Sequence, residues 1–393
     1  MTITIINKNK KPNVPNLRFP EFEGEWTEET LGSVAKVVGG GTPDTNIQKY
    51  WNGNIQWFTP SEIGRDKYVT YSLRTISEEG LNKSSAKLLP TGTILLSSRA
   101  TVGECSINNV ECTTNQGFQS LIAKENISNE FLFYLIQTKR KELIRKSCGS
   151  TFLEISANEV RKIKITIPTH KEQEKIANLI SLLDERIATQ NKIIDRLQSL
   201  ISGIVDSTIS CKSKNSTIGN VCSVSEQIRA IASIDDIITV RLHGKGVCKS
   251  NAENLQLGST QYYHRKAGQL IYGKQNFHNG AIGIVPQTLN NGITSKDIPS
   301  FDINTIKCNP LYLLTQLLAP QYYKPAESLT TGTGSKRLKE DTFLKMPIVL
   351  PNKEEQDFIA VLISRITTKL NQANKLLTLF SKQKQYLLRQ MFI

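Results

Sequence analysis

The chain has 393 residues, seven cysteines and a formal net charge of +14. That length exceeds one ordinary domain and points to two or three, while the charge points to a polyanionic partner, nucleic acid or a membrane surface. The cysteines (Cys105, Cys112, Cys148, Cys211, Cys222, Cys248, Cys308) are odd in number, never form Cys-x-x-Cys, and pair with no histidine at zinc-ligand spacing. They read as free thiols of a reducing compartment, not as a disulfide framework or metal site. The polar opening MTITIINKNKK resembles no signal peptide, and no apolar run approaches the ~18 residues of a membrane span, so the expected location is cytoplasmic.

Taken in order, residues 1–16 are polar and lysine-rich and are expected to be flexible. LRFPEFEGEW follows (Leu17–Trp26), a short extended segment with aromatic anchors. A first mixed domain, 17–167, then opens on TLGSVAKV. GNIQWF, GTILLS and FQSLIA read as strands, and NEFLFYLIQTKRKELIRKS (Asn129–Ser147) as an amphipathic helix. The loop CGSTFLEI closes it. A second mixed domain, 210–350, opens on TIGNVCSV, so that Gly219 matches Gly32. Its strands are GQLIYG and GAIGIV, its helix NPLYLLTQLLAP, and its closing loop TGTGSKRL. The two domains share this scheme and little else. A common frame with divergent loops suits loops that choose different ligands.

After each domain comes the same long helix, at 168–209 and again at 351–393. Without a gap, Pro168, Glu172, Gln173, Ile176, Ala177, Leu179, Ile180 and Ser181 match Pro351, Glu355, Gln356, Ile359, Ala360, Leu362, Ile363 and Ser364. The seam positions step by four and three. They are Ile176, Ile180, Leu183, Ile187, Gln190, Ile194, Leu197, Ile201 and Ile204 in one copy, and Ile359, Ile363, Ile366, Leu370, Ala373, Leu377, Phe380, Lys384 and Leu387 in the other. This 3.5-residue period predicts a coiled coil. Each helix of about 37 residues would reach roughly 55 Å, long enough to separate two domains. The natural partner of each copy is the other, with the polar Gln190 or Asn191 setting register and Lys384 expected to splay the end near Met391. Residues 171–207 of the first helix carry −1 and residues 354–391 of the second carry +3, leaving +12 of the +14 to the rest of the chain.

Enzymatic motifs fail on inspection. GQLIYGKQ (Gly268–Gln275) nearly spells a phosphate loop, but Gln275 replaces the hydroxyl residue and the apolar interior reads as a strand. NPLY (Asn309–Tyr312) lacks the second proline of the adenine-methyltransferase element and reads as a helix entry with proline first. GGGTPD (Gly39–Asp44) reads as a flexible loop. Polar and basic residues, by contrast, cluster at strand ends: Lys49, Arg65, Lys67, Arg99, Asn115 and Gln116 in the first domain, and Arg241, His243, Lys245, Lys274, Gln275, Asn276, His278, Lys336 and Arg337 in the second. Arg and Lys suit guanine and phosphate, Asn and Gln suit adenine, so these are the candidate DNA contacts.

The pattern resembles the specificity subunit of type I restriction-modification systems. The resemblance rests on the two-fold order of variable domain and helix, on Pro-x-x-x-Glu-Gln-x-x-Ile-Ala at Pro168–Ala177 and Pro351–Ala360, and on the segments LRFPEFEGEWTEETLGSV, GGGTPDTNIQKYWNGNIQWFTPSEIG and GQLIYGKQNFHNGAIGIVPQ. It implies an α+β fold: two target recognition domains separated by two long antiparallel helices, with pseudo-two-fold symmetry. Each domain would read half of a bipartite DNA site, and the paired helices would set the spacer. The partners implied are double-stranded DNA, two methyltransferase (modification) subunits using S-adenosylmethionine, and two restriction subunits using ATP and Mg. This chain would itself hold no cofactor and catalyse nothing. The competing reading is a coiled-coil adaptor or scaffold without DNA specificity.

Overall fold

The computed structural model describes residues 13–149, 153–210, 212–231, 233–250, 260–332 and 335–393. Most of the stretch expected to be flexible, the centres of both closing loops and Cys211 in the link after the first long helix lie outside the described residues. The chain forms two compact units. One runs to Thr189 and takes in Leu376–Ile393, and the other is Gln190–Lys375.

In the first unit, strands β1 (Ala35–Gly39), β2 (Ile94–Leu96), β3 (Cys105–Asn108) and β4 (Gln119–Ala123) form an antiparallel sheet in the order β1-β4-β2-β3, and Tyr68–Val69 adds in parallel to β3. Ala35 pairs with Ala123, and Ile94 with both Leu121 and Ile107. A smaller sheet joins Arg74–Ile76, Trp51–Phe58 and Cys112–Thr114. Helix α1 (Asn129–Arg145) starts where Ser128 caps the Phe131 N–H. Phe131 through Ile136 are all buried, so this first part of the helix is apolar all round and sits inside the core.

In the second unit the frame recurs. Strands β5 (Cys222–Val224), β6 (Leu270–Tyr272), β7 (Ile282–Ile284) and β8 (Ser300–Ile303) order as β5-β8-β6-β7, with Leu270 paired to Phe301 and Ile284. GQLIYG is thus a buried strand, with no cradle of free N–H groups. Asn309 caps helix α3 (Pro310–Leu317) and proline takes its first position, as the sequence predicted. The 3.5-period stretches become α2 (His170–Val205), of 36 residues, and α4 (Lys353–Gln390), of 38.

The Glu-Gln pair repeated in both helices has a physical explanation. Gln173 Oε1 accepts the backbone N–H of Ser128 (2.9 Å), while its Nε2 donates to the carbonyls of Pro168 and Asn126. Gln356 does the same with Asn309 N–H (2.8 Å) and the carbonyls of Pro351 and Lys307. In each unit one buried side-chain amide ties the start of a long helix to the cap residue of the domain helix. Only a side chain that both donates and accepts can do this.

Every seam residue named above is buried or half-buried. In the first unit Ile176, Ile180 and Leu183 of α2 share a core with Leu387 of α4 and with Met391 and Phe392 beyond it. In the second, Ile201, Ile204 and Val205 meet Ile359, Ala360 and Ile363. The start of each helix meets the end of the other, so the pair is antiparallel. Gln190 is buried and donates to the Ala373 carbonyl across the seam (3.2 Å), the two residues being equivalents in the repeat. The expected splaying at Lys384 does not occur. Its Nζ pairs with Asp184 (2.6 Å) and lies 5.5 Å from the Tyr134 ring, and the helix continues to Gln390. A long side chain can leave a seam sideways and carry its charge to a partner.

Candidate nucleic-acid interface

In the first unit, four loops meet beyond the strand ends. Gly41 N–H bonds to Thr114 O, Asn115 N–H to Phe58 O, Ser98 N–H to Gly117 O, and Ile155 N–H to Ser98 O, all between 2.8 and 3.0 Å. The GGGTPD segment, expected to be flexible, is packed into this junction. A Cβ on Gly40 would fall 1.9 Å from Asn115 O, and one on Gly41 2.3 Å from Ala86 N, so both positions admit only glycine. Trp57 Nε1 donates to Gly41 O and holds the loop from beneath.

The junction gathers Arg99, Asn115 and Gln116. Arg99 is half-exposed and donates through Nε and Nη2 to Glu154 (3.0 and 2.6 Å), beside Ala100 in the left-handed region at φ 64°. Asn115 uses its Oδ1 to brace Gly117 N–H, so it shapes the loop as well as lining it. Gln116 is exposed and hydrogen-bonded to Thr42, a residue that sequence reasoning did not single out. Arg65 is exposed on the 63–67 turn. Lys49 lies apart, paired with Glu79 at 2.5 Å beside the Ser77 turn.

Lys67 does not belong to this surface. Its Nζ is 3.0 Å from both Ser181 Oγ and Glu130 Oε2, and its side chain is only 11 % exposed. It fastens the domain to α2. There Tyr134 also donates to Asp184 (2.7 Å); burial and that carboxylate push the phenol pKa up. Nothing in the local sequence around Lys67 distinguishes this role, because Ser181 lies 114 residues away.

In the second unit the equivalent loops also converge. His243 N–H bonds to Asn279 O and Gly244 N–H to Gly280 O, while Lys274 N–H bonds to Asp297 O and Leu338 N–H to Lys274 O. Arg241, His243, Lys245, Gln275, Asn276 and Lys336 stand exposed on these loops, with His278 half-buried among them. His243 takes a left-handed φ of 58°, followed by Gly244 at 67°, a tight turn that carries the ring outward. Arg241 donates to Cys248 Sγ (3.0 Å). Lys274 is engaged by Glu340 at 2.7 Å with a side chain 16 % exposed, and Arg337 pairs with Asp297 at 3.1 Å. These two brace the loops more than they reach from them.

Sequence reading missed Arg265. It is fully buried and donates to Thr294 and Ser300 hydroxyls and to the His264 and Ile298 carbonyls; burial pulls its pKa down to about 10. It also missed Arg18, which reaches Glu172 with Nε and Nη2, both at 2.8 Å. No periodicity marks either one.

Each unit carries the same frame with differing polar loops at its strand ends and packs a stretch of α2 against a stretch of α4, which defines a protein of two like units. A family profile described as type I restriction modification DNA specificity domain matches residues 23–199. The MjaIX type I restriction enzyme specificity subunit of Methanocaldococcus jannaschii is 37 % identical over 180 residues, covering 44 % of this chain and 42 % of that protein. The MjaVIII specificity subunit of the same organism is 22 % identical over 376 residues, 88 % of this chain and 86 % of its own. The stronger of these matches therefore spans about two-fifths of the relative's length. Among solved structures, the type I restriction-modification S subunit from M. genitalium superposes with a TM-score of 0.64 at 14 % identity, over 97 % of this chain and 99 % of that one, which shows the shared fold. Residues 23–199 are thus similar to the DNA specificity domain of type I restriction-modification systems, and the chain shares the fold of a solved S subunit.

Proposed function

We propose that this chain is the non-catalytic DNA-reading subunit of a type I restriction-modification complex. The observation that carries the reading is the duplication of one frame with unlike side chains at the converging loops, Arg99, Asn115 and Gln116 in one and Arg241, His243, Lys245, Gln275, Asn276 and Lys336 in the other. Each unit reads one half of a bipartite, asymmetric site. Exposed cations contact phosphate and guanine, and the amide side chains contact adenine. The seam-paired helices α2 and α4 set the spacer and give two methyltransferase subunits a place to dock. Those subunits would use S-adenosylmethionine and extrude the adenine they methylate. ATP and Mg would serve two restriction subunits.

Methylation mapping of genomic DNA from cells with and without the chain tests the reading. The expected result is one bipartite motif that disappears with the chain. Identical methylation in both would overturn it. Inserting one heptad after Ile194 and the matching heptad after Leu377 is expected to lengthen the spacer with the half-sites unchanged. Exchanging residues 33–147 for those of a relative is expected to change one half-site only.

A further inference from the structure

The most exposed large apolar side chains described in the first unit are Leu73, 88 % exposed, and Tyr71, 84 %. Apolar groups on a mobile tip fold back onto the protein, but this tip is held at every step. Ser72, between them, points inward and hydrogen-bonds Gln56 through both its N–H (2.7 Å) and its Oγ (2.9 Å). Leu73 N–H donates to Glu62 Oε1 (2.6 Å), whose other oxygen accepts the N–H and hydroxyl of Thr59. Arg74, the next residue, lays its guanidinium 3.6 Å from the centroid of Trp51, and no carboxylate pairs with it among the described residues. The alternation places two apolar side chains outward on a rigid edge, with one unpaired cation directly behind them.

This edge is continuous with the reading loops. The turn Pro60–Glu62 that fastens Leu73 also abuts the Asn115–Gly117 loop, where Pro60 Cγ lies 2.9 Å from a Cβ built on Gly117, and Phe58 O binds Asn115 N–H. The anchoring side chain of Gln56 sits two residues before Phe58 on the same strand. A preorganised apolar pair beside cations, at the border of a base-reading surface, has the form of wedges that enter the stack between base pairs while neighbouring cations hold the backbone. Preorganisation matters because ordering such side chains on binding would otherwise consume the gain.

We propose that Tyr71 and Leu73 form a wedge that inserts into the base stack of the DNA read by the first unit, with Arg74 on the adjoining phosphate. The inference rests on the recognition reading above. It makes part of the specificity indirect: base steps that unstack easily would be preferred at a position no side chain reads by hydrogen bonds.

The test uses the full complex and a duplex of the mapped sequence, with 2-aminopurine walked through the first unit's half-site. The wild-type complex should brighten one step other than the methylated adenine several-fold. The double variant Tyr71→Ala with Leu73→Ala should abolish that signal and weaken specific binding about tenfold, whereas Tyr71→Phe with Leu73→Met should retain both. Unchanged brightening and affinity in the alanine variant would overturn the wedge. So would loss of the modification subunits on co-purification with DNA affinity intact, which would make the edge a protein dock. A wild-type complex that binds no duplex specifically would overturn the recognition reading itself.

Discussion

The repeated Glu-Gln pair behaves alike at glutamine and unlike at glutamate in the two units. Gln173 and Gln356 make matching sets of bonds to a cap residue and to the proline five positions before them. Glu172 is buried, with 1 % of its side chain exposed, and takes two bonds from Arg18 and one from Trp26 Nε1. Glu355, its repeat equivalent, is 37 % exposed and pairs with Lys212. A sequence identity between two copies therefore shows a shared role only where the surroundings are also shared. Glutamine acts on backbone that both units possess. The glutamate depends on the segment Leu17–Trp26 at the start of the first domain, for which the second unit substitutes Lys212.

Glu172→Ala should show the largest effect, because it leaves the guanidinium of Arg18 without its carboxylate in a mostly buried site. A loss of about 3 kcal/mol is expected, read as an earlier transition in calorimetry while a transition belonging to the second unit stays put. A small shift would mean that Arg18 turns to water at little cost.

Next come Gln173→Ala and Gln356→Ala, each leaving a buried backbone N–H and carbonyls unsatisfied, at about 1–3 kcal/mol. The comparison is sharpest if the two losses agree within about 0.5 kcal/mol. Each should raise hydrogen exchange at the start of its own domain helix, α1 or α3. Widely different losses would break the equivalence of the two units.

Lys384→Met keeps an unbranched apolar stem and deletes the charge facing Asp184. Both partners of that ion pair are about one-fifth exposed, so about 1 kcal/mol or less is expected, with Tyr134 still bonded to the aspartate. Denaturation in high salt should remove most of the difference between wild type and variant. The smallest effect belongs to Glu355→Ala, within about 1 kcal/mol, and a loss matching that of Glu172→Ala would erase the contrast between the two glutamates.

Much of the architecture was legible in the chain because it is periodic or local. The 4-3 spacing of Ile176, Ile180, Leu183 and their repeats located both long helices, since each step is a property of one helix turn. Asn309 followed by Pro310 marked a helix entry through groups within three residues of each other. Gln190 could be named as a register residue because a polar group on an apolar seam stands out by type alone.

What the chain could not disclose depends on residues distant in sequence. Whether Arg99 or Lys67 reaches outward turns on Glu154 and on Ser181, 55 and 114 positions away. The packing of Gly40 and Gly41 turns on Asn115 and Ala86. Lys384 looked like a fault in the seam until Asp184 was placed beside it. Sequence alone determined that there are two copies of one helix and one frame, because repetition and period are properties of order along the chain. Only the tertiary structure decided which charges brace the loops and which remain exposed, because a cation's reach is set by the carboxylate or hydroxyl that folding brings within about 3 Å.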